Sequence, residues 1–241
     1  MLRELCLYQI RLYLRSPRAL VASAVTPPLL MVMLAAISDH RAEPGYHARL
    51  VAAMATLGIA STCYTTFAAS LVASRDAGVL KRLRATPLPL WQHIAGRVAA
   101  TTVVALAQTL LLAVLGWLLY RDWPPMLPSA VFGAVTVSLI GVAVAQVVPR
   151  GDAAATLLST TLLPVVLVSG VFFPASELPG WVGVVSEASP LTHVGALLNA
   201  FSWVDLAWLL GWSCAALAFA LWRFRVEPEP PRATGRVRLA G

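Results

Sequence analysis

Six long apolar runs divide the sequence and constrain its fold more than any other feature. Each is about 20 residues long, enough as an α-helix to cross a hydrocarbon core of roughly 30 Å. Apolar residues make up 59% of the chain and charged residues 12%. In soluble domains about half of the residues are apolar and about a quarter are charged. The runs cover residues 19–37, 50–73, 98–120, 127–148, 153–173 and 204–222.

The composition of these runs separates two classes of membrane protein. Ala, Leu, Val and Gly dominate them, as is typical of closely packed membrane helices. Strands of an outer-membrane barrel would instead alternate apolar with polar residues. The sequence therefore predicts an all-α integral membrane protein with six transmembrane helices.

The positions of the basic residues predict the orientation of the six spans. Only Arg41, Arg49 and Arg121 fall in the first, third and fifth connections. Because cytoplasmic connections carry the excess of Lys and Arg, we expect both termini and the second and fourth connections in the cytoplasm, and the chain in the cell membrane. The bases on that side are Arg3, Arg11, Arg15, Arg18, Arg75, Lys81, Arg82, Arg84, Arg97, Arg150, Arg223, Arg225, Arg232, Arg236 and Arg238.

The two ends of the chain differ from the six-helix domain predicted for residues 19–225. In residues 1–18, Leu2, Leu5 and Ile10 fall on one helical arc while Arg3 and Arg11 fall on another, which predicts an amphipathic helix at the cytoplasmic interface. The alternative is a basic tail that only directs topology. Residues 226–241 are rich in proline and charge and predict a disordered cytoplasmic tail.

Chemistry-bearing residues are few. The centres of the six runs contain no Asp, Glu, Lys, Arg or His, which disfavours transport driven by ions. Lys81 is the single lysine and lies in no phosphate-binding GxxxxGK[ST] loop, so if ATP supplies the energy another chain must bind it. We predict no catalytic, cofactor-binding or metal-binding residue. His193 near Ser189 and Glu187 suggests a catalytic triad, but local capping explains these residues more simply.

Residues 74–87 carry a family resemblance. They resemble the pattern acidic-Arg-acidic-x-Gly-Thr-Leu-Glu-x-Leu-x-x-Thr-Pro of the ABC-2 type permeases, the membrane subunits of exporters of drugs, polysaccharides and lipid-linked glycans. Ser74, Val79 and Lys81 depart from the pattern, and Lys81 replaces an acid with a base. The matching residues are Arg75, Asp76, Gly78, Leu80, Leu83, Thr86 and Pro87.

A second resemblance to this family lies between the fifth and sixth runs, where the family has an extracellular re-entrant helical hairpin. An Asn usually stands where this chain has Ser189. Pro174 and Pro179 are expected to break the fifth helix, and Ser189 followed by Pro190 is an N-cap and first-turn signal. The hairpin residues are Gly170, Phe173, Pro174, Pro179, Trp181, Pro190 and His193.

The resemblance implies a function that needs partners. It implies an export permease that pairs with a second permease, identical or related, and with two ATPase subunits that hold ATP and Mg. The cargo would be an amphiphilic drug, a lipid or a glycan. An ABC importer permease and a membrane scaffold or lipid-modifying protein are the alternatives.

The same resemblance makes the second cytoplasmic connection the expected coupling helix to the ATPase. A basic interfacial helix that contacts anionic lipid is the alternative. The residues expected to couple are Arg75, Asp76, Gly78, Leu80, Lys81, Arg82, Leu83, Arg84, Thr86 and Pro87.

Hydroxyl side chains within the spans are the remaining signal. After Gly58, a hydroxyl recurs at every fourth residue of the second run, and three more cluster on the fifth. They either line a pathway or pack helices together. The residues are Thr62, Thr66, Ser70, Thr156, Ser159 and Thr160.

Overall fold

The computed structural model describes residues 25–37, 45–77, 90–121, 127–149, 153–172 and 180–226. Within these ranges every regular element is a helix, which confirms the all-α prediction. The interfacial helix predicted at 1–18 lies outside the described residues. So does the predicted tail after Val226.

Eight helices are described, and four of them are long and apolar enough to cross a membrane by length and composition: α2, α3, α4 and α8. α5 has 16 residues and the described part of α1 has 12, so the six-span topology and its orientation stay a prediction. The helices are α1 Thr26–Ile37, α2 Tyr46–Asp76, α3 Leu90–Tyr120, α4 Leu127–Ala145, α5 Ala153–Val168, α6 Gly180–Ala188, α7 Pro190–Asn199 and α8 Trp203–Val226.

Two predicted boundaries are wrong for identifiable reasons. α3 begins at Leu90 rather than near residue 98, so the helix includes Arg97. α5 was predicted to continue to residue 173, where Pro174 would break it, but it ends at Val168. Gly170 follows with φ of 67°, a left-handed conformation that ends helices and costs glycine little.

α2 lies at the centre of the bundle. In the most apolar stretch of α2, 72% of the residues are buried, whereas in that of α8 only 17% are. α2 contacts α1, α3, α4, α5 and α7. Its middle, Ser61–Thr66, is π-helical. This geometry is rare in proteins, and where it occurs it often marks a functional site. α8 instead exposes most of its apolar surface, as expected of a helix that faces lipid.

Two apolar clusters hold the bundle together. The larger joins α2 to α3, α4, α7 and α8, with Met54, Ile59 and Leu112 fully buried. The smaller lies toward the end of α2 and includes Phe67 and Leu158. Because many neighbours are alanine and glycine, the helix backbones approach closely.

Gly141 marks the closest of these approaches and generates a prediction. A Cβ atom built on Gly141 would lie 2.6 Å from the carbonyl oxygen of Cys63 in the π-helical segment. Gly141→Ala should therefore destabilise the fold by about 1–3 kcal/mol, as overpacking does elsewhere. Thermal unfolding of the detergent-solubilised protein measures this effect.

Gly211→Ala is the matched control, since nothing lies within 4 Å of a Cβ at that position of α8. We expect it to be neutral or slightly stabilising, because alanine has the higher helix propensity. Equal melting temperatures for the two variants would show that α4 can move away from α2 at no cost.

Candidate functional site

Arg75 caps the end of a neighbouring helix. Its guanidinium donates from Nη1 to the Ala145 carbonyl oxygen at 3.0 Å and from Nη2 to the Val148 carbonyl oxygen at 2.9 Å. The last carbonyls of a helix have no intrahelical donor and carry partial negative charge, so a cation there is stabilising. Arg75 therefore ties the end of α2 to the end of α4.

Arg97 forms the second connection at this end of the bundle. Its side chain is buried, and it donates to the Ser74 hydroxyl at 3.0 Å and to the Ser70 hydroxyl at 2.8 Å. The guanidinium carbon also lies 6.0 Å from the centre of the Phe67 ring. Among the described residues no carboxylate pairs with Arg97, so hydroxyls and an aromatic face offset the cost of burying its charge.

The two arginines define what we call the arginine end of the bundle, where α2 and α4 end and α3 begins. Residues 78–89, which connect α2 to α3, lie outside the described residues. Two of the predicted coupling residues are described: Arg75, which faces α4, and Asp76, which is exposed. Those outside the described residues are Gly78, Leu80, Lys81, Arg82, Leu83, Arg84, Thr86 and Pro87.

Sequence reasoning missed the role of Arg97. The third apolar run begins at residue 98, so the sequence pattern assigns Arg97 to the preceding connection. The spacing of Ser70 and Ser74, four residues apart on one helical face, was a usable signal for a polar partner at this depth.

The opposite end of the bundle contains a helical hairpin before α8, as the resemblance implies. Pro190 is the first residue of α7 and Ser189 its N-cap residue, but the Ser189 side chain makes no capping hydrogen bond. Trp181 is exposed at the start of α6, and Gly170 precedes the hairpin. Phe173, Pro174 and Pro179 lie outside the described residues.

His193 joins the three helices of this region. Its Nδ1 atom lies 2.7 Å from Asp205 Oδ1 on α8, and its Nε2 atom lies 2.9 Å from the Glu187 carbonyl oxygen on α6. Its ring stacks on Trp208, with centroids 5.2 Å apart. Both ring nitrogens face acceptors, so a neutral imidazole donates to one of them and an imidazolium to both.

This geometry corrects both readings of His193. The Ser189 hydroxyl has no hydrogen-bond partner among the described residues, and Glu187 contributes its backbone rather than its carboxylate. The described residues therefore contain no catalytic triad at His193. Local capping also understates its role, because His193 connects α7 to both α6 and α8. The missed partner, Asp205, lies 12 positions away on another helix, where local spacing gave no signal.

Thr192 connects the hairpin to α5. Its hydroxyl oxygen lies 2.6 Å from both the Ser169 and the Ser186 carbonyl oxygens, and its one proton can serve either. On the other side, the Trp212 indole donates to the Ala188 carbonyl oxygen at 3.2 Å. The hairpin is thus attached to both helices that flank it.

The hydroxyl-bearing residues separate into two groups. Thr62 is buried and donates to Gln108 Oε1 at 2.9 Å, while Ser70 accepts from Arg97 and Thr66 is half-buried. These side chains lie within the bundle. Those on α5, in contrast, are exposed on a helix that packs chiefly on α2: Thr156, Ser159 and Thr160.

Comparison with known proteins adds an independent observation. A family model described as ABC-2 type transporter matches residues 2–203. Nodulation protein J of Neorhizobium galegae is 26% identical over 153 residues, which cover 61% of this chain and 58% of that protein. The similarity therefore spans less than two thirds of that relative. No solved structure matches the chain.

The pairing of His193 with Asp205 generates a prediction about stability. His193→Ala, Asp205→Ala and the double variant should form a cycle with a coupling energy of at least about 1 kcal/mol, within the range of residues in direct contact. The reason is that either single change leaves a charged or polar partner buried. Thermal unfolding of the four proteins measures the coupling. Additive effects would mean that the pair does not hold the hairpin to α8.

Proposed function

The chain belongs to the ABC-2 type transporter family, and we propose that it is the permease subunit of an ATP-driven exporter in the cell membrane. ATP and Mg bind to a separate ATPase subunit, because this sequence contains no phosphate-binding loop. The transporter contains two copies of that subunit. A second permease, identical or related, completes the pathway. The cargo is an amphiphilic drug, a lipid or a glycan.

We place six spans in the membrane, with both termini in the cytoplasm. The bases that the bundle holds near its arginine end, Arg75, Arg97 and Arg223, support this orientation under the positive-inside rule. The second connection, residues 78–89, then lies in the cytoplasm, and the hairpin of α6 and α7 lies outside. The match to the family over most of the chain is the observation that carries the proposal.

The arginine end gives a physical route for coupling to ATP hydrolysis. The helices on either side of residues 78–89 are hydrogen-bonded to the bundle, α2 to the end of α4 through Arg75 and α3 to α2 through Arg97. A displacement of this segment would therefore move three helices together. We assign it as the coupling helix, with Val79, Leu80 and Leu83 as its apolar side.

Substitutions in the coupling helix test this assignment. Leu83→Asp should release the ATPase or uncouple hydrolysis from export, because buried apolar anchors set residence time. Arg84→Ala should weaken binding of the ATPase less, and by an amount that depends on salt concentration, because charges at the rim of an interface act mainly on the association rate. Co-purification of the ATPase and ATP-dependent efflux at two salt concentrations measure both effects.

Membrane insertion should remain normal in both variants, since at least four of the five bases between Arg75 and Arg97 remain. A Leu83→Asp protein that retains the ATPase and exports at the wild-type rate would refute the coupling role. The segment would then be a basic helix that contacts lipid.

The exposed hydroxyls of α5 support a position for the pathway. Thr156, Ser159 and Thr160 lie on a face of α5 that no described residue of this chain covers. Polar groups at membrane depth are most stable against protein or a water-filled cavity. We assign this face to the cargo pathway, at the boundary with the second permease.

Replacing these hydroxyls separates a pathway from helix packing. The triple variant Thr156→Val, Ser159→Ala, Thr160→Val should reduce export while leaving the melting temperature nearly unchanged. Thr62→Val is the matched control: it removes the hydrogen bond to Gln108 and should destabilise the fold by about 0.5–1.5 kcal/mol. Normal export by a destabilised triple variant would assign the α5 hydroxyls to packing instead.

A further inference from the structure

An apolar groove lies between α3, α4 and α8, on surfaces that the transport proposal does not use. Its volume is about 720 Å³, within the range of roughly 300–1,000 Å³ found for small-molecule sites. Thr102 is the one hydroxyl among its lining residues. The apolar lining includes Ile94, Val98, Leu139, Val142, Leu217 and Leu221.

The groove has the length of one leaflet of a bilayer. Along α3 it extends from Trp91 to Thr102, which is about 16 Å at 1.5 Å per residue. Half of a hydrocarbon core of roughly 30 Å is about the same distance. The groove begins at the arginine end, where α3 starts and α4 and α8 finish, and runs toward the middle of the bundle.

The groove has polar and aromatic neighbours where it begins, at the arginine end of the bundle. Arg223 lies two positions beyond the lining residue Leu221 on α8 and is not itself a lining residue. Its Nε atom is buried without a hydrogen-bond partner among the described residues. Trp91 and Trp222 are both exposed at this end. Tryptophan is enriched at membrane–water interfaces, so this end lies at the depth of the lipid headgroups.

These observations favour one kind of occupant. A pathway for a polar cargo such as a glycan would need more than one hydroxyl, and the exposed hydroxyls, to which we assign the cargo pathway, lie on α5 instead. A phospholipid matches both the apolar groove and the base near its end, because its acyl chain is hydrocarbon and its phosphate is an anion for Arg223. We propose that the groove binds an anionic phospholipid, with an acyl chain between α3, α4 and α8 and its phosphate against Arg223.

Filling the groove tests the position of the acyl chain. The proteins are reconstituted in vesicles of equal parts phosphatidylglycerol and phosphatidylcholine, extracted in mild detergent, and analysed by native mass spectrometry for retained lipid. Ala99→Trp places a large side chain among the lining residues and should abolish retention of phosphatidylglycerol. Val103→Trp, an exposed position of α3 outside the lining, should retain lipid like the wild type.

Removing the charge tests the headgroup contact. Arg223→Gln should lower the preference for phosphatidylglycerol over phosphatidylcholine about fivefold, the effect of one base near an anionic surface. Arg121→Gln makes the same charge change at the opposite end of α3 and should leave the preference unchanged.

Three results would overturn the proposal. Equal lipid retention by the two tryptophan variants would place the lipid elsewhere, and an unchanged preference in Arg223→Gln would remove the headgroup contact. A loss of dimer in Ala99→Trp but not in Val103→Trp would make the groove an interface between two copies. Lipid retention is measured without ATPase or cargo, so the first two results do not bear on the transport proposal. A loss of dimer would also move the boundary with the second permease away from α5.

Discussion

The close packing of α2 within its neighbours is the constraint on which the rest of the structure depends. Small residues let α4 approach until Gly141 meets the Cys63 carbonyl, a spacing that leaves no room for a Cβ atom. α3 is joined to α2 by the hydrogen bond between Thr62 and Gln108. A helix surrounded in this way cannot tilt or rotate without moving its neighbours.

Each end of the bundle is held by a different polar arrangement. At the arginine end, guanidinium groups bind helix carbonyls and serine hydroxyls. At the other end, His193 binds a carboxylate and a carbonyl and so joins the hairpin to α8. Between them the described core combines apolar side chains with buried hydroxyls and the Gln108 amide, which accepts from Thr62. A permease that transmits movement from ATPase to outer gate would need attachments of this kind at both ends.

Much of this architecture could be predicted from local patterns. The apolar runs predicted the positions of α2, α3, α4 and α8, and the Ser189-Pro190 pair predicted the start of α7. The predictions failed where the deciding interaction was not local. Arg97 lies within α3 and donates to Ser70 and Ser74, and the role of His193 depends on Asp205. The end of α5 depends on a local signal, the left-handed Gly170, rather than on Pro174, which the sequence prediction used.

The sequence by itself determined the class of protein, because hydrophobic length and the distribution of charge are properties of the chain that no packing arrangement can change. Its motifs also pointed to the family. Only the tertiary structure decided which hydroxyls are buried and which are exposed, which arginines are hydrogen-bonded within the chain, and that α3, α4 and α8 leave an apolar groove between them. The reason is geometric: residues far apart in sequence become neighbours only when helices pack, and the packing is set by many small contacts that no single segment encodes.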